Sequence, residues 1–140
     1  MTLPTSLRMP PELDSALASF ARRKRTTKSS LIVAAVGEWL ATQAHPQIHF
    51  VTTVTGERRA ALLAGPQVWT VVEAWQQHEP PERTPPAVAE STGLDPADVE
   101  AALAYWADHK AEIDEILERH ALEQDEALAA WERRRKLDQE

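Results

Sequence analysis

The feature that constrains this chain most is a strand-sized stretch near its start with no neighbouring stretch to pair with. Leu3, Thr5, Leu7 and Met9 alternate with Thr2, Pro4, Ser6 and Arg8, the period-two pattern of a strand with one covered face. Pro10-Pro11-Glu12 ends it and opens a helix, because proline fixes φ and is tolerated in a first helical turn. Leu13, Ala16, Leu17, Phe20 and Ala21 then recur at helical spacing. That helix stops in the basic run Arg22-Arg23-Lys24-Arg25, where cations suit the negative end of the helix dipole. The turn that follows lacks a glycine, so Lys24 or Arg25 is expected to adopt left-handed backbone. Thr26-Thr27 supplies an N-cap for a second helix, whose apolar stripe is Ile32, Val36, Trp39 and Leu40.

One strand and two short helices bury too little surface to fold alone, and a lone strand has no ladder partner. The economical solution is a two-fold dimer whose strands pair antiparallel while four helices share one core. Ser6 and Arg8 of each subunit would then lie on the outer face of a two-stranded ribbon. Such a ribbon fits the major groove of B-DNA, where Arg and small polar groups meet base edges. Charge agrees with that reading. Residues 1–44 hold six Lys/Arg against three Asp/Glu, a net of +3, whereas the remainder holds nine against nineteen, a net of −10. A basic patch at one end of an acidic protein is what phosphate attraction needs.

The stretch 3–42 resembles the ribbon-helix-helix repressors of the Arc, MetJ and CopG type. The resemblance is carried by Leu7-Arg8-Met9-Pro10, Glu12-Leu13, Leu17, Ala21, Thr27, Ser30, Ile32, Val36 and Leu40. It implies that Pro4, Ser6 and Arg8 occupy groove-facing strand positions. It also implies that Thr27, Lys28 and Ser29 grip phosphate at a helix N-terminus, an anion site by geometry and dipole. Pro4 departs from the pattern, since it removes a ladder donor and shortens the ribbon to about Thr5–Met9. A dimerisation arm with no DNA role is the plainer alternative.

The expected fold is mainly α with short β: a ribbon-helix-helix module over 1–44, then a helical domain over 45–140. His45-Pro46 breaks the second helix. Ile48–Val54 reads as a strand, Thr55-Gly56-Glu57 as a turn, and Arg59–Leu63 as the returning strand of a hairpin. After the break at Gly65-Pro66, Val68, Val71, Val72 and Trp75 mark one helical face. Prolines over 80–86 make a loop. A short helix from Ala87 ends at Gly93, and Asp95 with Pro96 opens the next, whose buried face is Val99, Ala102, Leu103 and Trp106. This has the shape of a helix-turn-helix. However, its second helix offers Asp95, Asp98 and Glu100, which would repel phosphate. It therefore reads as a packing or protein-binding unit. Lys110–Glu140 is a long charged helix with a thin apolar stripe of Ile113, Ile116, Leu117, Leu128 and Trp131.

Residues 48–120 resemble a small helix-turn-helix-like antitoxin domain found beside PIN-like ribonuclease toxins. The carrying residues are Arg58-Arg59-Ala60, Gly65 through Val72, Gly93-Leu94, Val99 through Trp106, and Glu112-Ile113. Together the two resemblances imply a VapB-like antitoxin: an N-terminal operator binder that represses its own operon, joined to a C-terminal binder of a ribonuclease. The toxin-facing set would be Ile116, His120, Leu128, Trp131, Arg133, Arg134 and Arg135, although His120 also reads as a packing residue within the chain. A stand-alone repressor or plasmid copy-control protein is the competing reading.

There is no cysteine, which excludes disulfides and thiolate metal sites. No histidine pair has the spacing of a helical metal site, and four glycines do not make a phosphate loop. Neither an enzymatic site nor a cofactor is expected. No signal peptide or bilayer-spanning stretch is visible, so the expected setting is the bacterial cytoplasm, on the nucleoid when bound to DNA.

Overall fold

Proline, glycine and a few capping hydroxyls punctuate this chain, and its helices start and stop where those residues stand. The computed structural model describes residues 2–140, which are mainly helical with one small antiparallel sheet. The chain divides into two compact units, residues 1–43 and 44–140.

The first unit contains α1 (Pro11–Lys24) and α2 (Lys28–Ala44). Pro11 stands in the first turn of α1, with Glu12 and Asp14 at its positive end and Arg22, Arg23 and Lys24 at its negative end. Arg25 closes α1 in the left-handed region, at φ 54° and ψ 44°, as the missing glycine required. Thr27 then caps α2 by accepting a 3.0 Å hydrogen bond from the Ser30 N–H. Residues 2–10 form no strand in the single chain. This departs from the expected strand, and the physical reason is plain. An extended segment is a strand only when a neighbour supplies its ladder.

The second unit starts with a hairpin, β1 (Ile48–Thr52) and β2 (Arg58–Leu62), with Phe50 opposite Ala60. Three helices follow: α3 (Val68–Gln77), α4 (Pro85–Thr92) and α5 (Pro96–Asp108). The core is built from Ile48 and Leu62 of the hairpin, Val68, Val71 and Val72 of α3, Val88 of α4, and Val99, Ala102 and Tyr105 of α5. At about 25 cal/mol per Å2 of apolar surface, each larger side chain contributes about 1.5–3 kcal/mol. α4 starts at Pro85, two residues earlier than expected, because the Thr84 hydroxyl caps it through the Ala87 N–H. Asp95 precedes α5, but its side chain makes no cap hydrogen bond.

The rotation of α5 also differs from expectation. Tyr105 is its fully buried aromatic, whereas Leu103 and Trp106 are only half-buried. α6 (Lys110–Leu137) begins by packing on α3 and α5 through Ile113 and Ile116. It then continues for seventeen residues beyond His120 without a fully buried side chain. At 1.5 Å per residue that distal stretch is about 25 Å long. No described helix is long and apolar enough to cross a membrane.

Candidate nucleic-acid interface and terminal helix

The first unit places its candidate DNA contacts in two groups. Pro4, Ser6 and Arg8 are all exposed on the segment ahead of α1. Thr27, Lys28 and Ser29 come together at the start of α2, where the first turn carries no acidic side chain. The open backbone N–H groups and the dipole make this a positive end. The Lys28 ammonium is not idle: it lies 2.9 Å from the Asp14 carboxylate of α1, with both side chains about half exposed. An ion pair so exposed is worth about 0–1 kcal/mol, so an approaching phosphate can compete for the lysine.

Between the two groups runs a groove lined by Leu7, Met9, Leu17 and Ile32, with Asp14 and Lys28 at its rim. The unit has almost no interior of its own. Ala21 and Ala41 are its only buried apolar residues among those described, whereas Leu7 (64 % exposed), Val33 (74 %), Val36 (51 %), Trp39 (61 %) and Leu40 (56 %) face outward.

In the second unit, the residues expected to meet a ribonuclease separate into two classes. Ile116 is buried, because α6 packs this turn against the unit's own core. That position supplies no contact surface. His120 is also engaged within the unit: its ring centroid is 4.6 Å from that of Trp69, and its Nε2 is 3.4 Å from the Glu73 carboxylate. Leu128 and Trp131 are exposed, and so are Arg133, Arg134 and Arg135 in the following turn. The Arg135 guanidinium sits 5.3 Å from the Trp131 ring centre, a cation–π contact.

Two features escaped sequence reasoning. The first is Tyr105. Its hydroxyl donates to the Glu112 carboxylate at 2.7 Å, and its ring stacks on His109 at 4.3 Å and meets His45 edge-on at 5.3 Å. His45 Nε2 is 2.8 Å from an Asp108 carboxylate oxygen but lacks the alignment of a hydrogen bond. The signal was present in the spacing: Tyr105 and Glu112 are seven residues apart, and a short break between two helices brings such residues face to face.

The second is the Glu57 carboxylate at the hairpin turn. It accepts 2.7 Å hydrogen bonds from Arg59 of β2 and from Arg119 of α6. Arg59 first, then Arg119, hold the Glu57 carboxyl down at about 2, against 4.5 when free. A depressed carboxylate stabilises the fold above its unfolded value, and that contribution is lost as pH falls from about 4.5 toward 2. Glu57→Gln should therefore cost about 1 kcal/mol at pH 7, allowing for solvent screening at a side chain roughly a third exposed. It should also flatten the decline in stability over that acid window, as read by urea denaturation at several pH values.

Among the described residues, no group of three His, Asp or Glu stands close enough to hold a metal ion. No family model, curated protein or solved structure matches the chain.

Proposed function

We propose that the chain is an antitoxin-type autoregulator. It pairs with a second copy through its first unit, binds a palindromic operator, and neutralises a PIN-like ribonuclease through its second unit. The observation that carries the dimer is the outward apolar surface of the first unit, headed by Trp39, Val36 and Leu40. Monomeric proteins rarely expose so large a patch, and a two-fold partner would turn two half-cores into one. In that dimer the segments around Ser6 and Arg8 would supply each other's ladder. The two α2 N-termini, each with Thr27, Lys28 and Ser29, would flank the ribbon and hold phosphates.

The ribbon and the helix ends have separable signatures. Arg8→Ala should cost about 1–3 kcal/mol on the operator and relax base preference, because Arg reads a base edge. Lys28→Ala should weaken binding to every sequence alike and lower the salt slope by about one, because it meets a phosphate. Mobility shifts on operator and scrambled duplexes across a salt series measure both. Wild-type behaviour of Arg8→Ala would remove the ribbon as the reading element.

For the ribonuclease, the exposed pair Leu128 and Trp131 provides an aromatic anchor, with Arg135 over the Trp131 ring and Arg133 and Arg134 in the same basic run. Ribonucleases of this kind cluster carboxylates at a metal site and present basic surface to RNA. The distal arginines suit the first, and the acidic faces of the second unit suit the second. The test is to recover partners of the full-length chain from source cells and assay the eluate for ribonuclease activity. Release of a small ribonuclease on Arg134→Glu/Arg135→Glu substitution supports the reading. Retention and inhibition that survive the substitution move the contact to the acidic faces, and an eluate without ribonuclease leaves a plain repressor.

A further inference from the structure

The distal half of α6 carries a second face, on the side away from Trp131, in which Leu122, Ala129 and Leu137 alternate with one acid and one base. Leu122, Glu126, Ala129, Arg133 and Leu137 succeed each other at steps of four, three, four and four residues, which keeps them on one helical face. Leu122 is 62 % exposed and Leu137 69 % exposed. Leu128 and Trp131 instead continue the stripe of Ile113, Ile116 and His120, roughly opposite. The Leu122 face is therefore distinct from the core-facing line of the helix, and of the residues assigned above to a ribonuclease it shares only arginines.

Charge along this segment is arranged in two blocks. Glu123, Asp125 and Glu126 precede the two alanines Ala129 and Ala130, and Arg133, Arg134, Arg135 and Lys136 follow them, with the single acid Glu132 ahead of the basic run. Among the described residues no ion pair within the chain engages Glu126 or Arg133. A parallel neighbour would set like block against like block, which is repulsive. An antiparallel neighbour centred between Ala129 and Ala130 sets the acidic block against the basic one.

We infer that this face pairs antiparallel with the same face of a second copy. In that register Leu122 meets the partner's Leu137, and Glu126 meets the partner's Arg133. Antiparallel helices bring like flanks together, so Glu123 lies beside the partner's Arg134, and Asp125 beside the partner's Lys136. Each contact occurs twice about the two-fold axis. The alanines at the centre let the two backbones approach closely. This pairing stands on the α6 pattern alone and does not depend on the ribonuclease reading. If the first unit also dimerises, its tether raises the effective concentration of the second contact.

Because the chain has no cysteine, introduced thiols report the register directly. Full-length Leu122→Cys, Leu137→Cys and the double variant are treated with a short bis-maleimide. In the antiparallel pair, the two copies of position 122 are about 22 Å apart, as are the two copies of position 137. Only the double variant should then form a covalent dimer, at a yield at least tenfold above either single variant. Adding Glu126→Arg to the double variant should cut the yield about fivefold, and adding Arg133→Glu as well should restore it. Efficient cross-linking of a single variant would overturn the antiparallel register. Absence of a covalent dimer from the double variant would overturn the pairing itself, and indifference to Glu126→Arg would overturn its charge basis.

Discussion

Tyr105→Ala lowers the stability of the second unit by about 4 kcal/mol, the expected cost of deleting a fully buried aromatic ring and leaving a cavity. Only 1 % of this side chain is exposed, and its ring is shared by Phe50 of the hairpin, His45 and His109. The loss should therefore loosen the hairpin, the entry to the unit and the α5–α6 junction together. Tyr105→Phe keeps the ring and removes one hydrogen bond to Glu112, a charge-assisted bond whose acceptor can turn to solvent. Its cost should be about 1 kcal/mol. Urea denaturation followed by far-ultraviolet circular dichroism measures both. Equal losses in the two variants would mean that the hydroxyl, and not the ring, is what the fold requires.

On the proposed reading, Val36→Asp combined with Trp39→Asp should abolish association through the first unit and lower operator retention at least 100-fold. The physical ground is the outward stripe of α2. Carboxylates placed where two half-cores should merge would have to be desolvated without partners. The same change should leave the unfolding free energy of the second unit within about 0.5 kcal/mol of wild type, since surface substitutions away from a core feature have small effects. A doubly substituted protein that still sediments as a dimer through its first unit would show that the shared-core arrangement is wrong. Cross-linking through α6 provides the separate readout needed to recognise a dimer held only at that end.

Most element boundaries were legible because they rest on local chemistry. Pro11, Thr27, Gly93 and Pro96 each act on the backbone within one helical turn, so their effects were readable without knowing what the helices pack against. The same applies in part to Arg25: the turn that closes α1 needs left-handed backbone, and with no glycine there the choice lay between Lys24 and Arg25. The hairpin was legible for a similar reason, through its β-branched first strand and the Thr55-Gly56 turn. What was not legible depends on distant partners. Which of Leu103, Tyr105 and Trp106 faces inward is decided by how α5 rolls against α3 and α4, not by periodicity. Glu57 and Arg119 are 62 residues apart, and nothing in either neighbourhood announces their contact. Ile116 and His120 lay on the same stripe as Leu128 and Trp131. The sequence could not say where the domain ends and the free helix begins, so neither the burial of Ile116 nor the engagement of His120 by Trp69 and Glu73 was readable from it. The segment ahead of α1 is the limiting case. Its alternation predicts a strand, but its ladder would have to come from outside the chain.

The five tryptophans are distributed unevenly over these surfaces. Trp69, Trp75 and Trp106 are half covered within the second unit, whereas Trp39 and Trp131 are 61 % and 48 % exposed on separate elements. The molecule thus carries an intrinsic optical label on two of the faces proposed to meet another macromolecule. A blue shift confined to Trp39 emission would report association through the first unit, and one confined to Trp131 would report occupation of the terminal helix. With the other tryptophans replaced by phenylalanine, the order in which the two surfaces fill becomes a matter of colour and time.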